Sequence, residues 1–145
     1  MTDNPGVRFP PPLIFLVFFV AGIFVPWGFT GSPFAGIALI AISFLIFVWG
    51  VVTMARARTE ILPHRPASAL VTSGPFRFSR NPLYVSMALG YLGAALWTGR
   101  LGAIALLPVA IALLQKMVIA REEAYLTRRF GEEYSAYRAR VRRWV

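Results

Sequence analysis

The chain has 145 residues, of which 57% are hydrophobic and 14% charged, with a formal net charge of +9; soluble domains carry about 25% charged residues. That length limits it to one domain, and the apolar excess excludes an ordinary soluble protein. With no cysteine, disulfides, thiolate nucleophiles and zinc-thiolate sites are excluded, and the redox compartment stays open.

No charged side chain falls between Arg8 and Arg56, and two further uncharged runs cover 81–99 and 101–115. Crossing a hydrocarbon core of ~30 Å takes about 20 helical residues, so the first run holds two crossings and the later runs one each. The basic residues flank these runs, which makes anionic lipid headgroups the partner and excludes nucleic acid. The expected fold class is an all-α integral membrane protein, one membrane domain over 1–145, with four transmembrane helices and a C-terminal cytoplasmic amphipathic helix.

Residues 1–12 are polar and end in Pro10-Pro11-Pro12, which leads into a first span at 13–29 with Pro26 kinking its far end and Trp27 at an interface. No small-x-small cleavage site follows the first apolar stretch, so it reads as an uncleaved anchor rather than a signal peptide. Thr30-Gly31-Ser32-Pro33 is a tight turn, and 34–54 is the second span. These two helices carry no ionisable group and read as scaffold. The loop at 55–81 contains Arg56, Arg58, Arg65, Arg77 and Arg80, whereas the turn near 98–100 has only Arg100. By the positive-inside rule this loop is cytoplasmic, and four crossings place both termini there too. Spans three and four, at 82–98 and 101–119, form an antiparallel hairpin around Trp97-Thr98-Gly99-Arg100. The hairpin returns Asn81 and Glu122 to one membrane face. Pro108 is a candidate kink in the fourth span, and Lys116 snorkels near its end.

In the tail at 121–141, Leu126, Phe130, Tyr134, Tyr137 and Val141 recur at helical spacing opposite a set of arginines, with Gly131 interrupting. The aromatic stripe is free to pack on lipid or on the bundle. Two polar groupings stand out. Asn81-Pro82 is a helix-start signature whose exposed amides suit a carboxylate or phosphate, with Tyr84 one turn inside. Glu122-Glu123 is an adjacent acidic pair directly after a span; Glu132 and Glu133 read as solvated. Alone, the first reads as an ordinary helix cap and the second as a solvated pair. Together, on one face, they suit a zwitterion with hydroxyls and a cationic centre, which S-adenosylmethionine satisfies without being singled out by geometry.

Four blocks carry a resemblance: Leu70-Val71-Thr72-Ser73-Gly74-Pro75-Phe76-Arg77, Ser79-Arg80-Asn81-Pro82-Leu83-Tyr84, Glu122-Glu123 and Phe130-Gly131-Glu132-Glu133-Tyr134. In order and spacing, the half of the chain from about Ser68 to Val141 resembles the small integral-membrane methyltransferases that include isoprenylcysteine carboxyl methyltransferase and phospholipid N-methyltransferases. The resemblance implies S-adenosylmethionine as cofactor and methyl transfer to a lipidic or amphipathic acceptor. It implies cofactor contacts from Ser68, Ala69, Leu70, Val71, Phe76, Asn81, Pro82, Leu83, Tyr84 and Glu122, with Glu123 close by. Phe76 replaces a tyrosine frequent in the family. Asn81 replaces a histidine, and an amide cannot act as a general base. Val118 stands where the prenylcysteine enzymes have a carboxylate-reading arginine, with Lys116 and Arg121 out of register, so prenylcysteine is not supported as substrate.

Catalytic candidates are Arg80, Asn81 and Tyr84, with Arg80 suited to a cofactor carboxylate, a headgroup or lipid anchoring. No residue is assigned to a metal. His64, the one histidine, reads as a surface loop residue. Two competing classes are an NADPH-dependent membrane reductase of the sterol type and a non-catalytic membrane adaptor. The acceptor atom and the oligomeric state are left open.

Overall fold

In the computed structural model, residues 10–60 and 66–145 are described; His64 and most of the polar N-terminal stretch lie outside them. Among the described residues the regular structure is all helix apart from one isolated β-bridge, Gly28 to Arg100. Helices α1 (Pro11–Phe24), α2 (Pro33–Arg56) and α3 (Pro82–Thr98) each begin at a proline. At that position the missing N–H costs no helical hydrogen bond and the fixed φ is already helical. Helix α4 (Leu101–Leu114) passes through a π turn (Gln115–Ile119) into α5 (Ala120–Arg140), and a 3-10 turn (Gly74–Arg77) precedes α3.

The first helix departs from expectation. It starts at Pro11 and stops at Phe24 instead of covering 13–29, and Pro26 ends it rather than kinking it. Val25 is extended (φ −72, ψ 122) because a proline disfavours helical backbone in the residue before it. The chain from Val25 to Ser32 then folds over the α3–α4 turn. The Phe29 N–H donates to the Gly99 carbonyl (3.1 Å), Ser32 N–H to Leu96 (3.0 Å) and Leu101 N–H to Trp27 (3.1 Å). Gly99 adopts the left-handed conformation (φ 66) that closes α3, which glycine reaches without steric cost. Both short turns therefore share one end of the bundle, and the long loop and α5 share the other.

Two helices, Pro33–Arg56 and the continuous Leu101–Arg140, are long and apolar enough to cross a membrane; α1 is shorter at 14 residues and α3 has 17. Large apolar side chains line the outside, with Phe34 86% and Leu45 67% exposed. Water would penalise such a surface, and hydrocarbon would not. Inside, α2 packs chiefly on α3, and α1 on α4. Glycine makes both seams close: a Cβ on Gly93 would stand 2.8 Å from the Gly36 carbonyl and 3.0 Å from the Ile40 nitrogen. Small residues let helix backbones approach where lipid supplies no hydrophobic drive to associate. Across the seam, the Ser43 hydroxyl donates to the Ser86 carbonyl at 2.7 Å.

Gly131 does interrupt the last helix (φ 53, ψ −120), and a Cβ there would meet nothing within 4 Å. The two glycines separate packing from backbone strain. Gly93→Ala is expected to cost about 1–3 kcal/mol through overpacking, and Gly131→Ala about 1–2 kcal/mol through its φ alone. Thermal unfolding in detergent with a double-mutant cycle checks this: trimming Ile40 to alanine should relieve Gly93→Ala only in part, since two of its three nearest contacts are backbone atoms, and should not relieve Gly131→Ala at all.

Candidate functional site

The polar end of the bundle holds an open cavity of about 150 Å³. Its wall draws on the end of α2, the loop after it, the 3-10 turn, the start of α3, and α5. Ala69, Leu70, Val71, Phe76, Arg80, Asn81, Pro82, Leu83, Tyr84, Glu122 and Glu123 all line it, so nearly every residue expected at a site converges there. Ser68 does not. Its N–H donates to Thr59 Oγ1 (3.2 Å) and its hydroxyl to the Arg58 carbonyl (3.1 Å), so it shapes the loop from outside.

Sequence reasoning missed Thr59, Tyr125, Tyr134 and Tyr137, which also line the cavity. The aromatic stripe in the tail was the available signal, and its two destinations were left open. The structure places Tyr134 and Tyr137 against the protein, 1% and 3% exposed, with the Tyr137 hydroxyl donating to the Phe76 carbonyl at 2.8 Å. Tyr125 is off that stripe, and its hydroxyl accepts from the Ala67 N–H at 3.0 Å.

The acidic pair divides its work because neighbours on a helix point about 100° apart. Glu122 accepts from the Tyr84 hydroxyl at 2.8 Å, joining α3 to α5. It lies beyond the apolar run of the fourth span. Burial pushes its carboxyl up to about 7; the Tyr84 hydrogen bond opposes that rise and the neighbouring Glu123 adds to it. Glu123, 8% exposed, faces two arginines. Arg143 reaches it with Nε (3.0 Å) and Nη2 (2.6 Å), and Arg80 with Nη2 (3.0 Å). Neither acid is a solvated member of a surface helix. The π turn between Gln115 and Ile119 inserts a residue and re-phases the helical faces that follow, so it helps set where both acids point.

Asn81 departs from its expected role. Its side chain makes no cap; Nδ2 donates instead to the Arg143 carbonyl at 2.9 Å, while its own carbonyl accepts from the Tyr84 and Val85 N–H groups. The segment after α5 occupies it. That segment also accepts from the Arg80 N–H at the Arg142 carbonyl (2.9 Å) and from the Ser79 hydroxyl at the Arg143 carbonyl (3.2 Å). The Trp144 indole donates to Gln115 in the π turn at 3.4 Å. Residues 141–144 thus tie the start of α3, α5 and the π turn together. Among the described residues no group of three or more His, Cys, Asp or Glu side chains is placed to hold a metal.

Apolar outer faces, close glycine seams and one polar end with an open cavity define a helical membrane protein. Over residues 32–133 the chain matches the phospholipid methyltransferase family, and it belongs to that family. It is similar to a cobalt-zinc-cadmium resistance protein of Cupriavidus metallidurans, 43% identical over 68 residues that make up 47% of this chain and 32% of the relative. A nickel-cobalt-cadmium resistance protein of Alcaligenes xylosoxydans is 38% identical over 68 residues, 47% of this chain and 32% of its own. Protein-S-isoprenylcysteine O-methyltransferase of Schizosaccharomyces pombe is 33% identical over 72 residues, 50% of this chain and 30% of its own. The match thus spans about a third of each of these three relatives. No solved structure matches the chain.

The ion cluster carries a stability prediction. Glu123→Gln leaves two guanidinium groups without their counter-charge, one of them with a side chain only 9% exposed, and is expected to cost about 3 kcal/mol. Exposed Glu132→Gln should stay within about 0.5 kcal/mol. Unfolding midpoints in detergent compare them, and equal midpoints would show that the cluster contributes nothing.

Proposed function

We propose that the chain transfers a methyl group from S-adenosylmethionine to a lipidic or amphipathic acceptor at the cytoplasmic face of a membrane. The observation that carries this is the cavity itself, where the start of α3 and the acidic pair of α5 meet through the Tyr84–Glu122 hydrogen bond. In this reading α1 to α4 are the four crossings, and the arginine-rich loop and both termini lie on the cytoplasmic side. Exposed α1 and α2 faces meet lipid.

The wall fits the cofactor's parts. Val71, Phe76 and Leu83 offer apolar and aromatic surface to a base, and the Glu122 carboxylate accepts from ribose hydroxyls or an ammonium. Bound there, S-adenosylmethionine supplies a methyl already activated on a sulfonium. The chain's own work is orientation and exclusion of water. Tyr84 holds Glu122 toward the cavity, and the 141–144 segment holds the start of α3 against α5. Asn81, with its amide donating to a carbonyl, orients the wall and does not move protons. Val118, fully buried among apolar side chains, leaves no arginine to read a prenylcysteine carboxylate at that position. The family match favours a transferase over the NADPH reductase. The metal-resistance names of two relatives are not carried to this chain, whose described residues bring no ligand set together.

Membranes containing the protein, given cofactor labelled in its methyl, should transfer label to an extractable lipid or small amphiphile, and Glu122→Gln should reduce transfer at least tenfold. Label at background in every fraction would end the methyl-transfer reading. A pH series tests Glu122 directly. Its carboxyl is held near 7, so a ligand that bonds the carboxylate must bring about proton loss below that pH. Affinity should then fall by up to about tenfold per unit as pH drops below 7, and Glu122→Gln should flatten that dependence.

A further inference from the structure

Around Glu123 the acceptors are already engaged. Both its carboxylate oxygens serve Arg143, and one also serves Arg80. The Arg142 and Arg143 carbonyls accept from the Ser79–Asn81 stretch, and the Phe76 carbonyl from Tyr137. Glu122 holds the Tyr84 hydroxyl. What remains unmet on this part of the cavity wall is a set of donors.

Arg80 contributes most of them. Its Nη2 meets Glu123, but Nε and Nη1 are buried with no hydrogen-bond partner. The side chain is 9% exposed, which removes it from the role of a lipid anchor at the surface. Tyr134 contributes another. It is 1% exposed, lines the same cavity, and its hydroxyl makes no hydrogen bond among the described residues. A buried donor without an acceptor costs free energy, and a guanidinium presents its N–H groups in a planar fork that matches carboxylate and phosphate oxygens.

We infer that Arg80 and Tyr134 form an anion subsite in the cavity wall, which accepts a carboxylate or phosphate oxygen of a bound ligand. The inference deepens the methyl-transfer reading and rests on it for the ligand's identity. Two sources share this chemistry: the amino-acid carboxylate of the cofactor, and the phosphate of a phospholipid acceptor. Glu122 marks the acceptor-bearing part of the cavity and Arg80 the donor-bearing part, so the site has a polarity along which a zwitterion aligns.

The test compares two ligand pairs on the full chain in detergent. One pair is S-adenosylmethionine and its decarboxylated analogue; the other is a short-chain phosphatidylethanolamine and the corresponding diacylglycerol. Removing the anion should weaken binding at least tenfold in one pair, and that pair names the source. The ratio should fall below about threefold in Arg80→Gln and shrink by roughly twofold in Tyr134→Phe, which removes a single hydroxyl and keeps the fold if Arg80→Gln does not. Equal affinity within both pairs overturns the subsite, and so does a tenfold ratio left unchanged in Tyr134→Phe. Cofactor binding with no dependence on either anion would leave methyl transfer standing without the subsite. Phosphate dependence without cofactor binding would do the reverse.

Discussion

A carboxylate clasped by two guanidinium groups organises this molecule's polar end. Glu123 sits one turn beyond the fourth apolar run, Arg80 directly before α3, and Arg143 just past α5. Three stretches distant in sequence converge on one charge that has been taken out of water. Such a cluster is favourable only if its geometry is good and every member is held. The surrounding bonds do that holding: Ser79, Asn81 and the Arg80 amide grip the 142–143 carbonyls, and Trp144 reaches the π turn. The cavity wall inherits its rigidity from this junction.

The rest of the bundle follows from the demands of a bilayer. Hydrocarbon rewards neither polar side chains nor open backbone, so the helices satisfy their own hydrogen bonds and turn apolar faces outward. Glycine seams between α2 and α3 and between α1 and α4 replace hydrophobic drive with close packing. With the apolar length taken up in this way, charge collects at one end of the bundle, where the long loop and α5 come together. There it can be concentrated enough to bind something. The proposed function uses that concentration: acceptors at Glu122, donors at Arg80 and Tyr134, and apolar walls between them.

Much of this was legible beforehand. Uncharged run lengths and N-terminal prolines placed α2 and α3 within a residue or two, and Gly99 and Gly131 marked a turn and a break where their positive φ values now lie. Pro26 was legible as a disruption but not as a stop; whether proline kinks or ends a helix depends on whether neighbouring helices support a continuation. The π turn at 115–119 had no sequence signature, since a mostly apolar run reads the same with or without one inserted residue. Asn81 was read as a cap from local chemistry, which cannot see a carbonyl arriving from 62 residues away.

Composition, run length and motif order by themselves determined that this is a helical membrane protein and which residues gather at its polar end, because the periodicity of apolar and charged side chains is local information. Partner choice was decided only by tertiary structure. Glu122 and Glu123 are chemically identical neighbours, yet one faces a phenol and the other two arginines. Tyr134 could have lain on lipid and instead lines the cavity. These outcomes depend on which surfaces a three-dimensional fold brings within hydrogen-bond reach, and a one-dimensional pattern carries no measure of that distance.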